Sequence, residues 1–387
     1  MMEQSTSPKG EISGTQYTTT KQLVLAGTYT QAIKFGTGQI LDGKGKGIYS
    51  FLLDMETGIL QDEKLSDGIV NPSYLTLNNA KNRLYAVNEL KEYEGQASGA
   101  ISAFSFDLHT RDLELLNTRP TGGTDPCHVV LNRKNSHVYV SNYSSGSVSV
   151  FPVTEDGSLC ERKQLIQHEG SSINNERQTG PHAHSLTFDT SGQFAFVADL
   201  GIDRLMIYGI NPISGVLTQV PFPFYQTGPG AGPRLCTIHP NGKYIYLINE
   251  LASSISALAF DETSVSFRHL QTISTVPADY TSNNSGADIQ IRPDGQFLYG
   301  SNRGYNTIVI YRIDPGTGLL SLVGFESSGG EIPRSFCIDP TGVFLLAANQ
   351  DTDNIVVFRI DKTTGTLRKV SEHSVPTPVC VKVYQAE

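Results

Sequence analysis

The chain has 387 residues, of which 38% are hydrophobic and 17% charged, with 37 glycines, 19 prolines and a formal net charge of −9. That balance excludes a general nucleic-acid surface, because no broad excess of Lys and Arg is present to neutralise phosphates, and the apolar runs are strand-sized, too short to span a bilayer. Five cysteines, at 127, 160, 236, 337 and 380, include no CxxC pair, so zinc spacing and a disulfide framework are both disfavoured and a reducing, cytoplasmic compartment is expected.

Residues 1–20 are polar and lack the apolar core of a signal peptide, and they read as a disordered tail before a single domain over 21–387. Three short segments follow: LVLAGTYT (23–30), GIYSFLLD (47–54) and GILQDEK (58–64). The glycine- and lysine-containing stretch from Thr30 to Lys46 reads as a long loop placed to cover one end of the fold. From Pro72 the chain becomes periodic. PSYLTLNNAKNRLYAVNEL is the first copy, and further copies start at Pro126 (PCHVVLNRKNSHVYVSNY), Pro181 (PHAHSLTFDTSGQFAFVADL) and Pro233 (PRLCTIHPNGKYIYLINEL). Two more start at Gly286 (GADIQIRPDGQFLYGSNR) and Pro333 (PRSFCIDPTGVFLLAANQ), and a truncated copy, PVCVKVYQ, starts at Pro378. A repeat of about fifty residues built from strand-sized pieces is a four-stranded blade.

Within each copy, strand a runs into a turn of the HPNGK or RPDGQ type, whose Pro, Asn or Asp and Gly suit a tight hairpin. Strand b is aromatic and β-branched, strand c is the TIVIYRI type (307–313), and a second turn, DPGTG (314–318), leads to strand d. The three N-terminal segments match strands b, c and d, while the C-terminal fragment supplies a strand a with nothing after it. Joining them makes one blade from both termini and removes the exposed edges of an open array. The expected fold is an all-β, seven-bladed β-propeller of four-stranded antiparallel blades, closed by the C-terminal strand completing the N-terminal blade.

Antiparallel pairing brings the start of strand a and the end of strand b to one mouth, where a site is expected. The strand-a ring reads Ser73, Cys127, His184, Arg234, Ala287, Arg334 and Val379, with His182, His128 and Asp288 beside it. The strand-b ring reads Tyr29, Glu89, Tyr143, Leu200, Glu250, Arg303 and Gln350. Such variation from blade to blade, with arginines, a histidine and a glutamate converging, suits a small anionic substrate and acid–base chemistry. Asn88, Asn142, Asn249, Asn302 and Asn349 recur one position earlier, and a repeated strand-end Asn reads first as a turn-bonding residue. Asn142 and Asn302 also enter as candidate substrate contacts, with Arg334, His182 and His128. Because columns two and four of strand a are apolar, its polar first column faces the channel only if the strand bends at the rim.

The motifs GTYT (27–30), GPHAHS (180–185), GPGAGPRLCTIHPNGKYIYLINEL (228–251), GADIQIRPDGQFLYGSNR (286–303) and IPRSFCIDPTG (332–342) resemble the lactonase family of seven-bladed propellers, over nearly all of the chain from Leu23 to Val383. That family includes a bacterial-type 6-phosphogluconolactonase and the fungal carboxy-cis,cis-muconate cyclase. The resemblance implies catalytic residues at His184, Arg234, Glu250 and Arg303, no cofactor and no metal. It implies hydrolysis of a small anionic sugar lactone, 6-phospho-glucono-1,5-lactone foremost, a reaction of the pentose phosphate pathway; a monomer or weak homo-oligomer is expected. The alternatives are cycloisomerisation of a carboxylated muconate at the same site and, in another class, a non-catalytic propeller that binds a partner at its rim.

Overall fold

The computed structural model of the chain describes residues 20–35 and 38–386, so the expected tail over 1–20 lies outside the described residues apart from Thr20. The described residues form seven four-stranded antiparallel sheets and one two-stranded hairpin, with no helix among them. We number the sheets as blades 1–7, with strands a to d in each. Strands a of neighbouring blades touch around the central axis.

Burial explains the strand sequences. In blade 5, strand b (Tyr244–Asn249) is buried at every position because both of its faces meet neighbouring blades, hence a nearly continuous apolar run. Strand d of blade 6 (Leu320–Ser327) is at the perimeter, where only Leu320 is buried. The core is therefore a ring of layers between blades. One layer joins Tyr246, Ile248 and Ala257 of blade 5 to Leu298, Val309 and Tyr311 of blade 6.

A repeated tyrosine fastens these layers. In strand b of four blades, the hydroxyls of Tyr85, Tyr139, Tyr246 and Tyr299 donate to the carbonyls of Gly157, Gly215, Gly318 and Gly365 in the c–d turn of the next blade, at 2.6–3.0 Å. The turn position requires glycine: Gly318 has φ 74°, and a Cβ there would lie 2.5 Å from the Tyr244 ring. Tyr246→Phe removes one buried donor from the layer and is expected to lower stability by about 1–2 kcal/mol. The urea midpoint should fall at unchanged slope; an unmoved midpoint would show that the bond contributes nothing.

Blade 1 is the composite expected from the repeat. Its strand a is Pro378–Gln385, paired with strand b (Lys21–Thr28), followed by Gly47–Asp54 and Leu60–Asp67. Between its strands b and c, two short strands, Ile33–Lys34 and Ile40–Leu41, pair as a small hairpin. Tyr29, Ile33 and Val379 form a buried cluster beneath it, against which Phe35 packs.

The recurring asparagines are architectural. The side-chain amides of Asn142 and Asn249 each donate to two serines, Ser147 and Ser149 or Ser254 and Ser256, at the start of the following strand c. Asn302 donates to the Thr275 carbonyl and the Thr307 hydroxyl, and Asn349 to the Ser328 carbonyl. Each thus ties the end of strand b to its own hairpin or to the preceding loop.

Candidate active site

The bend that strand a needed is a β-bulge, present in six of the seven blades. In blade 5, Pro233 pairs with Asn249 and Leu235 with Ile248, so Arg234 is the extra residue. The same step leaves out Cys127, His184, Arg334 and Val379 in blades 3, 4, 7 and 1, and in blade 6 it spans Ala287 and Asp288. A bulge re-aims one side chain without disturbing the alternation that follows. The apolar columns therefore stay between the blades while the bulged residues turn towards the axis.

Three of them, Cys127, His184 and Arg334, meet the strand-b ends at a cavity of about 520 Å³, the size of a small-molecule site. Its wall includes Glu89, Cys127, Tyr143, Arg177, His184, Glu250, Arg303 and Arg334, and the hairpin residues Ile33, Lys34 and Phe35 close over one side. A second cavity of about 20 Å³ is lined by Glu89, His184 and Arg334 together with Arg234, His128 and Asp288.

Glu250, 4% exposed, is the electrostatic centre of one side. Its Oε1 is 2.7 Å from Nη2 of Arg177, and its Oε2 is 2.8 Å from Nη2 of Arg303 and 3.0 Å from Nε of Arg234. The Arg234 contact is an ion pair without hydrogen-bond alignment; that guanidinium also donates from Nη1 to the Ala287 carbonyl. Burial alone would raise the Glu250 carboxyl, but Arg303, Arg177 and Arg234 overcome it and hold it well below the ordinary carboxylate range. Arg177 and Arg303 each reach Glu250 through Nη2 only and also line the cavity, so their planar forks face both the carboxylate and any bound anion. Burial, then the charge of Arg234, pushes His184 well below the ordinary imidazole value and so favours the neutral ring. Its Nδ1 is 3.7 Å from Cys127 Sγ, and the Tyr143 ring meets its edge at 5.3 Å.

Glu89 stands on the other side in a different setting. It is 6% exposed, and the Tyr29 hydroxyl lies 3.0 Å from both of its oxygens. Here burial prevails: the carboxyl is raised above its ordinary value against the opposing pull of Arg334, Ser73 and Tyr29. The Arg334 guanidinium lies over the Tyr29 and Phe35 rings, 5.5 Å from each centroid, which links the covering hairpin to this side.

The structure brings His184, Glu250, Arg303 and Arg334 to the cavity wall, and sets Arg234 one layer deeper, behind Glu250. His182, the other histidine of PHAH, is not on the wall. It stacks on Tyr143 at 4.6 Å, with Nδ1 3.0 Å from the Tyr143 carbonyl. His128 is in the deeper cavity against Tyr74, its ring pushed well below the usual value by burial and then by Lys382. Asn142 and Asn302 are fully buried and do not line the cavity. Arg177 has no counterpart in the repeat, because it comes from the loop before blade 4, where Asn174 Oδ1 accepts from its backbone N–H at 3.0 Å. The only sequence signal was the extra length of that loop. Among the described residues no group of three or more His, Cys, Asp or Glu is placed to hold a metal ion.

This cluster lies at the mouth of a chain whose relatives are lactonases, and the protein is a lactone-hydrolysing propeller enzyme of the carboxylic ester hydrolase class. The model of the family "Lactonase, 7-bladed beta-propeller" matches residues 23–383, and the chain belongs to that family. It is 38% identical over 320 residues to a 6-phosphogluconolactonase of Bacillus subtilis, covering 83% of this chain and 86% of that protein. A 6-phosphogluconolactonase of Formosa agariphila is 37% identical over 312 residues, covering 78% and 85%. Among solved structures, the periplasmic gluconolactonase of Pseudomonas aeruginosa superposes with a TM-score of 0.87 at 30% identity, over 95% of this chain and all of that one.

Proposed function

We propose that the chain hydrolyses 6-phospho-glucono-1,5-lactone to 6-phosphogluconate. The observation that carries this reading is the guanidinium array of Arg177, Arg234 and Arg303 fixed around Glu250 on the cavity wall. Arg177 and Arg303 hold the lactone carbonyl and stabilise the oxyanion as water adds. His184, neutral at the start, takes the proton of the attacking water. Glu250 binds its arginines too strongly to serve as that base and instead fixes their geometry. Arg334 and Lys34, on the side of the covering hairpin, receive the phosphate. The five unpaired thiols support the cytoplasmic placement expected from the sequence, and the enzyme is proposed to act as a monomer or weak homo-oligomer without a cofactor.

The test is the loss of 6-phospho-glucono-1,5-lactone with purified protein, after subtraction of spontaneous hydrolysis. Unphosphorylated gluconolactone and carboxylated muconates serve as alternative substrates. Turnover should be fastest on the phosphorylated lactone. A rate on it no greater than spontaneous, with turnover only of a muconate or of the unphosphorylated ring, would overturn the assignment.

A further inference from the structure

Two identical tripeptides, Asn-Glu-Leu at 88–90 and 249–251, close strand b in blades 2 and 5. Their glutamates occupy equivalent positions on blades that stand three places apart in a ring of seven, and so meet the cavity from nearly opposite sides. Glu250 has three arginines within 3.0 Å, whereas Glu89 has a phenol. We propose that Glu89 is a catalytic residue, the general acid that protonates the leaving oxygen of the lactone.

The proposal rests on the lactonase reading and assigns its missing proton donor. In a 1,5-lactone of a 6-phosphorylated sugar acid, the ring oxygen is bonded to the carbon next to the one bearing the phosphate. A substrate with its carbonyl at Arg177 and Arg303 and its phosphate towards Arg334 and Lys34 therefore presents the ring oxygen on the Glu89 side. Water adds to the acyl carbon and yields one proton to His184. The bond from acyl carbon to ring oxygen then breaks, with its electron pair leaving on the oxygen, which takes the Glu89 proton. The products are a hydroxy acid, a Glu89 carboxylate and a protonated His184, and transfer of the imidazole proton to the carboxylate through solvent restores both groups.

The surroundings suit an acid. Burial raises the Glu89 carboxyl most strongly, Arg334 and then the Ser73 hydroxyl oppose it, Asp125 adds to it, and the Tyr29 hydroxyl opposes it. Of the other groups that face this corner, Cys127 is raised by burial and stays a thiol, and Lys91 pairs with Asp125. Burial keeps Tyr29 a phenol, well above its ordinary value, so it remains a donor to either oxygen. His184 is lowered and Glu89 raised, the directions that favour a free base and a protonated acid.

The experiment is the pH dependence of kcat/KM for the wild type, Glu89→Gln and Tyr29→Phe. Because an acid must be protonated to act, the wild-type rate should fall as pH rises through the Glu89 value, above the ordinary carboxylate range. Glu89→Gln keeps the shape, and should lower kcat by about 10²–10⁴-fold and abolish the alkaline limb. Tyr29→Phe removes a bond that favours the carboxylate, so its alkaline limb should move to higher pH at a rate within about tenfold of wild type. A Glu89→Gln enzyme with the wild-type limb, whatever its rate, would overturn the proposal, as would an unmoved limb in Tyr29→Phe. Wild-type protein without lactonase activity would overturn the functional reading itself, which separates the two failures.

Discussion

Arg303→Lys is expected to lower kcat/KM on the phosphorylated lactone by about 10²–10³-fold, the cost of losing one preorganised oxyanion donor, while leaving the unfolding midpoint nearly unchanged. The charge survives the substitution, but the planar fork that reaches Glu250 at 2.8 Å and the Gly286 carbonyl at 3.1 Å does not. Glu250 keeps Arg177 and Arg234, so the fold loses little. Glu250→Gln is the contrasting variant. It deprives three guanidiniums of their shared anion and should cost stability as well as turnover, by about 3–5 kcal/mol for breaking a buried ion pair. The sign follows from the lowered carboxyl: its stabilisation is present above the unfolded-state value and is lost as pH falls through the folded one. The stability gap between Glu250→Gln and wild type should therefore be full at neutral pH and narrow in acid. Thermal or urea unfolding across pH, measured beside turnover, separates the two roles. Arg303→Lys turnover within twofold of wild type would remove Arg303 from the chemistry.

What the sequence disclosed was whatever repeats. Strand c of blade 6 (Thr307–Ile313) and strand a of blade 1 (Pro378–Gln385) start and end where the repeat placed them, because burial on both faces imposes the same apolar run on every copy. The repeat phase also separated His184 from His182, and the structure sets only the first on the cavity wall. What escaped was whatever breaks the repeat or depends on three dimensions. Arg177 comes from a loop with no equivalent in other blades. The bulges were legible only as a contradiction, a polar column beside apolar ones, since an extra residue in one strand shows only against its partner. The tyrosine locks were written in the sequence as a Tyr three residues before the Asn of strand b. Their acceptors are glycine carbonyls 66–76 residues later, a pairing that blade packing alone creates. The two Asn-Glu-Leu copies show the limit: identical in sequence, they differ in what other blades bring to them.

Ending the chain at Thr377 is expected to abolish cooperative folding, although only the final strand is lost. Pro378–Gln385 pairs with Lys21–Thr28 along its length, from Gln22 opposite Gln385 to Thr28 opposite Pro378. Its Val379, Cys380, Val381 and Val383 are buried, and they belong to clusters that reach blades 7, 1 and 2. Removing them opens the core on both sides at once and bares a strand edge that is a template for association. An open array of blades also loses the mouth, since Val379 and Tyr29 support the hairpin over the cavity. The milder Val381→Asp, which buries one charge in the same seam, is expected to cost more than about 4 kcal/mol. The truncated chain should elute as aggregate and melt without a sharp transition, and a synthetic peptide of residues 378–385 should restore part of the transition by filling the vacant edge. A truncated chain that stays monomeric and unfolds at the wild-type midpoint would mean that the blades hold one another without the clasp. In that event the propeller's stability would reside in the layers between blades, with closure serving only to shape the mouth.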